Sequence, residues 1–157
     1  MVLEAVRSFF QTRVSHAEDE HRPDRVSIAA SALLLEIAHA DGLGEAEYES
    51  ILRAVREDLG VAEEDVQEVL RLAEEARRES VDLYQFTRLV AECFSADQRR
   101  RLIEAIWRVV YSDGVLSAIE TQLARRIGEL VGLQQPDIQA ARERVVASRR
   151  LGPSRGA

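Results

Sequence analysis

Lysine is missing from this sequence altogether: all 21 basic residues are arginine. We read that as the mark of a GC-rich coding sequence more than of bidentate anion recognition. Cysteine occurs once, at Cys93, which excludes an internal disulfide and a zinc site built on cysteines. No apolar run approaches the ~20 residues that a membrane-spanning helix needs. The first residues, MVLEAVRSFF, carry an early Glu4 and no long apolar stretch, so they do not read as a secretory signal and the expected compartment is the cytoplasm. No stretch alternates with period two for long enough to make a strand. Positive charge is in deficit: the formal net charge is −7, which argues against general nucleic-acid binding. The deficit is uneven, since the segment from Arg142 onward carries +4 and residues 1–141 carry −11.

What remains is a chain of 157 residues, 46% hydrophobic and 31% charged, the composition of a globular protein. A chain of this size buries roughly 68–70% of its unfolded surface, enough for a true core. Two stretches organise it. Ala38-His39-Ala40-Asp41-Gly42 and Val110-Tyr111-Ser112-Asp113-Gly114 each end a long apolar helix on Asp-Gly, 72 positions apart. Gly60 and Gly132, which close the following helices, keep the same offset of 72. Two landmarks with one spacing predict an internal duplication with pseudo-two-fold symmetry.

In chain order, residues 1–25 comprise an amphipathic helix with Phe9 and Phe10 on its apolar face and an acidic linker, HAEDEHRPD. The helix is expected to dock on the domain; a peripheral membrane or partner contact is the alternative. His16 and His21 lie in the linker, where nothing preorganises them as ligands. Residues 26–150 read as an all-α domain, and 151–157 as a flexible tail. Arg25 to Ala40 is apolar nearly all round, the pattern of a buried helix, with Glu36 at its edge. Gly42 supplies a left-handed stop. Helices follow over Glu45–Leu59 and Ala62–Glu79, then one N-capped by Asp82 with Cys93 as a small core residue. Ser95-Ala96-Asp97-Gln98 and Ser117-Ala118-Ile119-Glu120 match capping boxes, and Pro136 opens the last helix. The domain thus holds about seven helices, besides the N-terminal one.

Four segments carry a resemblance to a known family: LLLEIAHADG, DLYQFTRLVAECFS, RRRLIEAIWRVVYSDG and the helix from Glu120 to Gly132. Over about residues 26–147 the chain resembles the TerB-like family of cytoplasmic helical proteins named for tellurite resistance. The DLY-FTRL segment joined to W-VVYSDG is similar to one branch of it. The resemblance implies a compact helical fold, acidic residues near helix-turn-helix loops that take a divalent metal, and a role in tellurite or other stress response. Two departures stand out. Asp113 and Glu120 are seven apart, the family spacing, whereas Asp41 and Glu47 are six apart. An acidic residue four after the aspartate is present as Glu45 but replaced by Ser117 in the second copy.

The candidate metal ligands are therefore Asp41, Glu45, Glu47, Asp113 and Glu120, for calcium, magnesium or zinc. Hard cations need several oxygens converging, and neither loop is an EF-hand, because the D-x-D-x-D-G run is missing. The competing assignments are structural: Asp-Gly makes the turn, Glu120 caps with Ser117, and Glu47 stands at the N3 position after Gly44. His39 is a further candidate ligand, or else a cation placed on a helix C-terminus. No catalytic Ser/His/Asp or Cys/His set, phosphate loop or Glu-x-x-His di-iron motif is present. The expected function is a non-enzymatic TerB-like domain that binds divalent metal. The alternative is a structural adaptor for a protein or membrane-surface partner without metal.

Overall fold

The computed structural model describes residues 24–114 and 116–150, so the expectations for the N-terminal helix, its linker and the C-terminal tail lie outside the described residues. Those described form seven α-helices and no strand. The first, α1 (Arg25–His39), starts where the Asp24 side chain accepts the Val26 N–H at 3.3 Å, an N-cap that satisfies one of the orphan donors of the first turn. Eleven of its residues are buried, from Ser27 to Ala38, and this axial helix packs on α2 (Glu45–Arg53), α3 (Val66–Glu79), α4 (Tyr84–Cys93), α5 (Ala96–Tyr111) and α6 (Ala118–Leu130). The last helix, α7 (Gln135–Arg150), packs chiefly on α5. Pro136 sits in its first turn, where the missing N–H costs nothing.

The core is one cluster, with Trp107, Phe86, Leu33, Leu34, Ile37 and Ile106 among its largest fully buried side chains. Trp107 pins α7 to α5, its indole N–H donating to the Ile138 carbonyl at 3.2 Å. Glu36 is half-buried and paired with Arg77 of α3 at 3.2 Å. Arg77 also binds Glu74 at 2.8 Å, so the one acid on the axial helix stands at its edge in a small ionic network, as its isolation among apolar residues requires.

Gly42, Gly60, Gly114 and Gly132 have φ of +87°, +70°, +78° and +98°, the left-handed region that favours glycine. The two helices between these stops do not end alike. After Arg53 the backbone passes into a π-helical turn, Ala54–Asp58, closed by the Leu59 N–H to the Ala54 carbonyl at 2.9 Å.

Three sequence expectations are corrected here. Cys93 is exposed: the inner face of α4 turns instead through Phe86, Thr87, Leu89 and Val90. Asp82 is not the N-cap of α4, which is Leu83, although its carboxylate accepts the Tyr84 N–H at 2.9 Å. The capping box at Ser117 is only half made: the Ser117 hydroxyl accepts the Glu120 N–H at 3.3 Å, and the Glu120 carboxyl turns elsewhere. The box at Ser95 and Gln98 forms in full.

Candidate functional site: a buried acidic pair between two loops

The Asp-Gly loops end α1 and α5, and the acids beyond them open α2 and α6. Glu47, at the N3 position of α2, reaches back so that its Oε1 accepts the Gly44 N–H at 2.7 Å. That bond turns the carboxyl inward, and Glu47 is only 3% exposed. From the other side Glu120 points in, 1% exposed, and its carboxyl shares a hydrogen bond with that of Glu47. Asp113 and Asp41 are close enough to act on it as charges. The first turns of α2 and α6 thus come together at this pair, which sequence spacing alone does not establish.

Two buried carboxyls in contact cannot both stay ionised cheaply. Burial, then the hydrogen bond and negative charge of Glu47, then the charges of Asp113 and Asp41 push Glu120 up to about 8 from an ordinary 4.5. Its Oε2 is buried and has no hydrogen-bond partner. An unpartnered buried oxygen is a cost that a ligand can remove.

The difference in spacing between the two copies has a physical counterpart. Glu47 lies six residues after Asp41, and Gly60 thirteen after Glu47; Glu120 lies seven after Asp113, and Gly132 twelve after Glu120. The first loop is one residue shorter and its helix one longer. A π-turn accommodates one extra residue within a helix, and it is the longer helix that carries one. Glu47 faces Glu120 although its loop is short.

Of the five predicted ligands, Glu47 and Glu120 are in contact, and Asp41 and Asp113 lie near enough to act on Glu120 as charges. Glu45 stands exposed at the first turn of α2, apart from the buried pair. His39 is directed away: its Nε2 lies 3.3 Å from Glu74 Oε1 on α3. Among the described residues no three His, Cys, Asp or Glu side chains are preassembled as a metal cage. The donor set still suits a hard cation, being all carboxylate oxygens, and includes the unpartnered Oε2 of Glu120.

Sequence reasoning missed a second feature. The polar side of α5 lines one side of a cleft: Glu104, Arg108 and Ser112 face α2 and α7 across it.

An all-helical fold wrapped on one buried helix, with two acidic helix-turn-helix loops meeting at a carboxyl pair, defines a class of acidic-centred helical domain. The chain matches the family model described as "Tellurite resistance protein TerB" over residues 27–143. It belongs to the TerB family. No curated protein and no solved structure matches it. Among the described residues no helix is long and apolar enough to cross a membrane.

Proposed function

We propose that the acidic centre takes a divalent cation and that the chain acts as a non-enzymatic, metal-responsive TerB-family domain in tellurite or other stress response. The observation that supports this reading is the buried Glu47–Glu120 pair with its unpartnered Oε2. Glu47 and Glu120 would hold the ion, and Asp41 and Asp113 would add their carboxylates to it. Bound there, a cation supplies positive charge in place of the proton that Glu120 otherwise keeps. Binding then releases that proton and strengthens as pH rises. An all-oxygen set favours calcium or magnesium over zinc, which usually draws on nitrogen or sulfur ligands.

Thermal unfolding with and without millimolar calcium, magnesium, manganese or zinc tests the reading. A ligand specific to the folded state at a hundredfold excess over its dissociation constant adds about 2.7 kcal/mol. Asp113→Asn should remove that gain while leaving metal-free stability nearly unchanged. A melting temperature that none of the four ions moves at pH 8 would end the metal reading.

A second reading is favoured by exposed apolar side chains on the same loops and at the start of α6. Leu43, Leu116 and Ile119 are 40%, 53% and 58% exposed beside the acidic centre. They suit a structural adaptor whose loop end meets a protein or membrane-surface partner without metal. Leu116→Ser with Ile119→Ser should then abolish partner binding and leave any cation response intact.

A further inference from the structure

Away from the acidic centre, α2 and α7 both pack on α5 but make at most marginal contact with each other. Between them lies an open cleft of about 600 Å³, within the size range of small-molecule sites. Arg53 and Arg56 line it from the α2 side, Arg108 from the floor, and Arg144 and Arg149 from α7. Five arginines face three glutamates (Glu49, Glu57 and Glu104), in a chain whose net charge is −7. The basic C-terminal segment and the α5 stripe thus converge here.

The bonding of these arginines is uneven. Arg108 is fixed in a half-buried pair with Asp58, the last residue of the π-turn. Arg144 holds Glu104 at 2.8 Å, Arg53 holds Glu57 at 3.2 Å and Arg56 holds Glu63 at 3.1 Å, each with at least one well-exposed partner. Exposed pairs of this kind are weak and open to exchange. Arg149 is exposed and pairs with no acid among the described residues. The π-turn forms part of the wall and places Arg56, Glu57 and Asp58, and such turns are frequent at functional sites. One fixed arginine at the base, ringed by arginines that can trade an exposed glutamate for a stronger acceptor, is an arrangement for oxyanions, which guanidinium forks bind in bidentate fashion.

We propose that the cleft between α2, α5 and α7 binds a compact polyanion, a small molecule carrying two or more phosphate or carboxylate groups. This site shares α2 and α5 with the acidic centre but uses none of its acids, so the two proposals fail independently.

The test is amide-resolved NMR titration of the full chain with pyrophosphate and, separately, citrate, in metal-free buffer at constant ionic strength set by chloride. The expected result is saturable shifts in residues 50–56 and 144–149 with at least one of the two. Pyrophosphate alone would mark a phosphate ligand, citrate alone a carboxylate one. Arg53→Gln with Arg149→Gln, both surface changes, should weaken binding about tenfold or more, and Arg88→Gln on α4 should not. Shifts that do not saturate, that scatter over arginines outside the cleft, or that persist unchanged in the double variant would overturn the proposal.

Discussion

The proton on Glu120 offers a sharp test of the acidic centre. In the folded chain the carboxyl is 1% exposed, and burial together with Glu47, Asp113 and Asp41 carries it from 4.5 to about 8. Unfolding returns it to water, where it ionises near 4.5. Between those limits the folded state holds a proton that the unfolded state has lost. Stability must therefore fall as pH rises from about 4.5 to about 8, and level off above. At about 1.4 kcal/mol per pH unit, the loss by pH 8 is a few kcal/mol. Carboxylates usually act in the opposite sense, gaining stability from ionisation.

Glu120→Gln replaces the protonated acid by a neutral amide of the same shape, which can donate to Glu47 as the acid does. At pH 5 the variant should match the parent within about 1 kcal/mol. At pH 8 it should be more stable than the parent by about 2–4 kcal/mol, because it has no charge to bury. Urea unfolding at pH 5, 6.5 and 8 in metal-free buffer measures both slopes. If the parent's stability is flat or rises over this range, or if Glu120→Gln keeps the parent's slope, the buried-proton argument is wrong. Calcium added at pH 8 should restore the parent and leave Glu120→Gln much less affected.

Two predictions concern packing. A Cβ on Gly128 of α6 would meet Ile138 Cδ1 at 2.7 Å and Ile103 Cδ1 at 3.3 Å, so Gly128→Ala should overpack the α5–α6–α7 junction and cost about 1–3 kcal/mol by urea unfolding. Cys93 is exposed and should react with a thiol reagent in the folded protein almost as fast as in urea; strong protection would return it to the core.

The helices were legible because their apolar periodicity and glycine stops are local signals. Arg25 to Ala40 reads as a buried helix, and it is the axis. Ser95 and Gln98 read as a capping box and form one. Misreadings arose where one residue had two uses. Glu120 stands three after Ser117, so spacing assigned it to a cap, but its carboxyl meets Glu47. His39 stands two before Asp41, so spacing offered it as a ligand, but helical rotation sends it to Glu74. Cys93 fell on an inward stripe at the end of α4, where the helix stops and the face is lost. The arginine cleft was invisible because it joins three helices that are distant in sequence, and each contributes side chains that look like an ordinary solvated face.

The mismatch in loop spacing argues for a duplicated origin more strongly than a perfect repeat would. Equal stops at Gly42 and Gly114, and at Gly60 and Gly132, could be kept by two unrelated helices of similar length. Here the interval between stops is conserved although its parts are not: a loop shorter by one residue is followed by a helix longer by one, with a π-turn in the longer helix. A deletion in the loop that left the helix untouched would have drawn every later residue one place back and rotated the apolar face of α2 by about 100°. The extra residue is absorbed in the π-turn downstream of Ile51, Val55 within that turn stays buried, and Glu47 still meets Glu120. We therefore propose that the two halves descend from one helix-loop-helix unit, and that the requirement preserved through the change is the meeting of the two carboxyls.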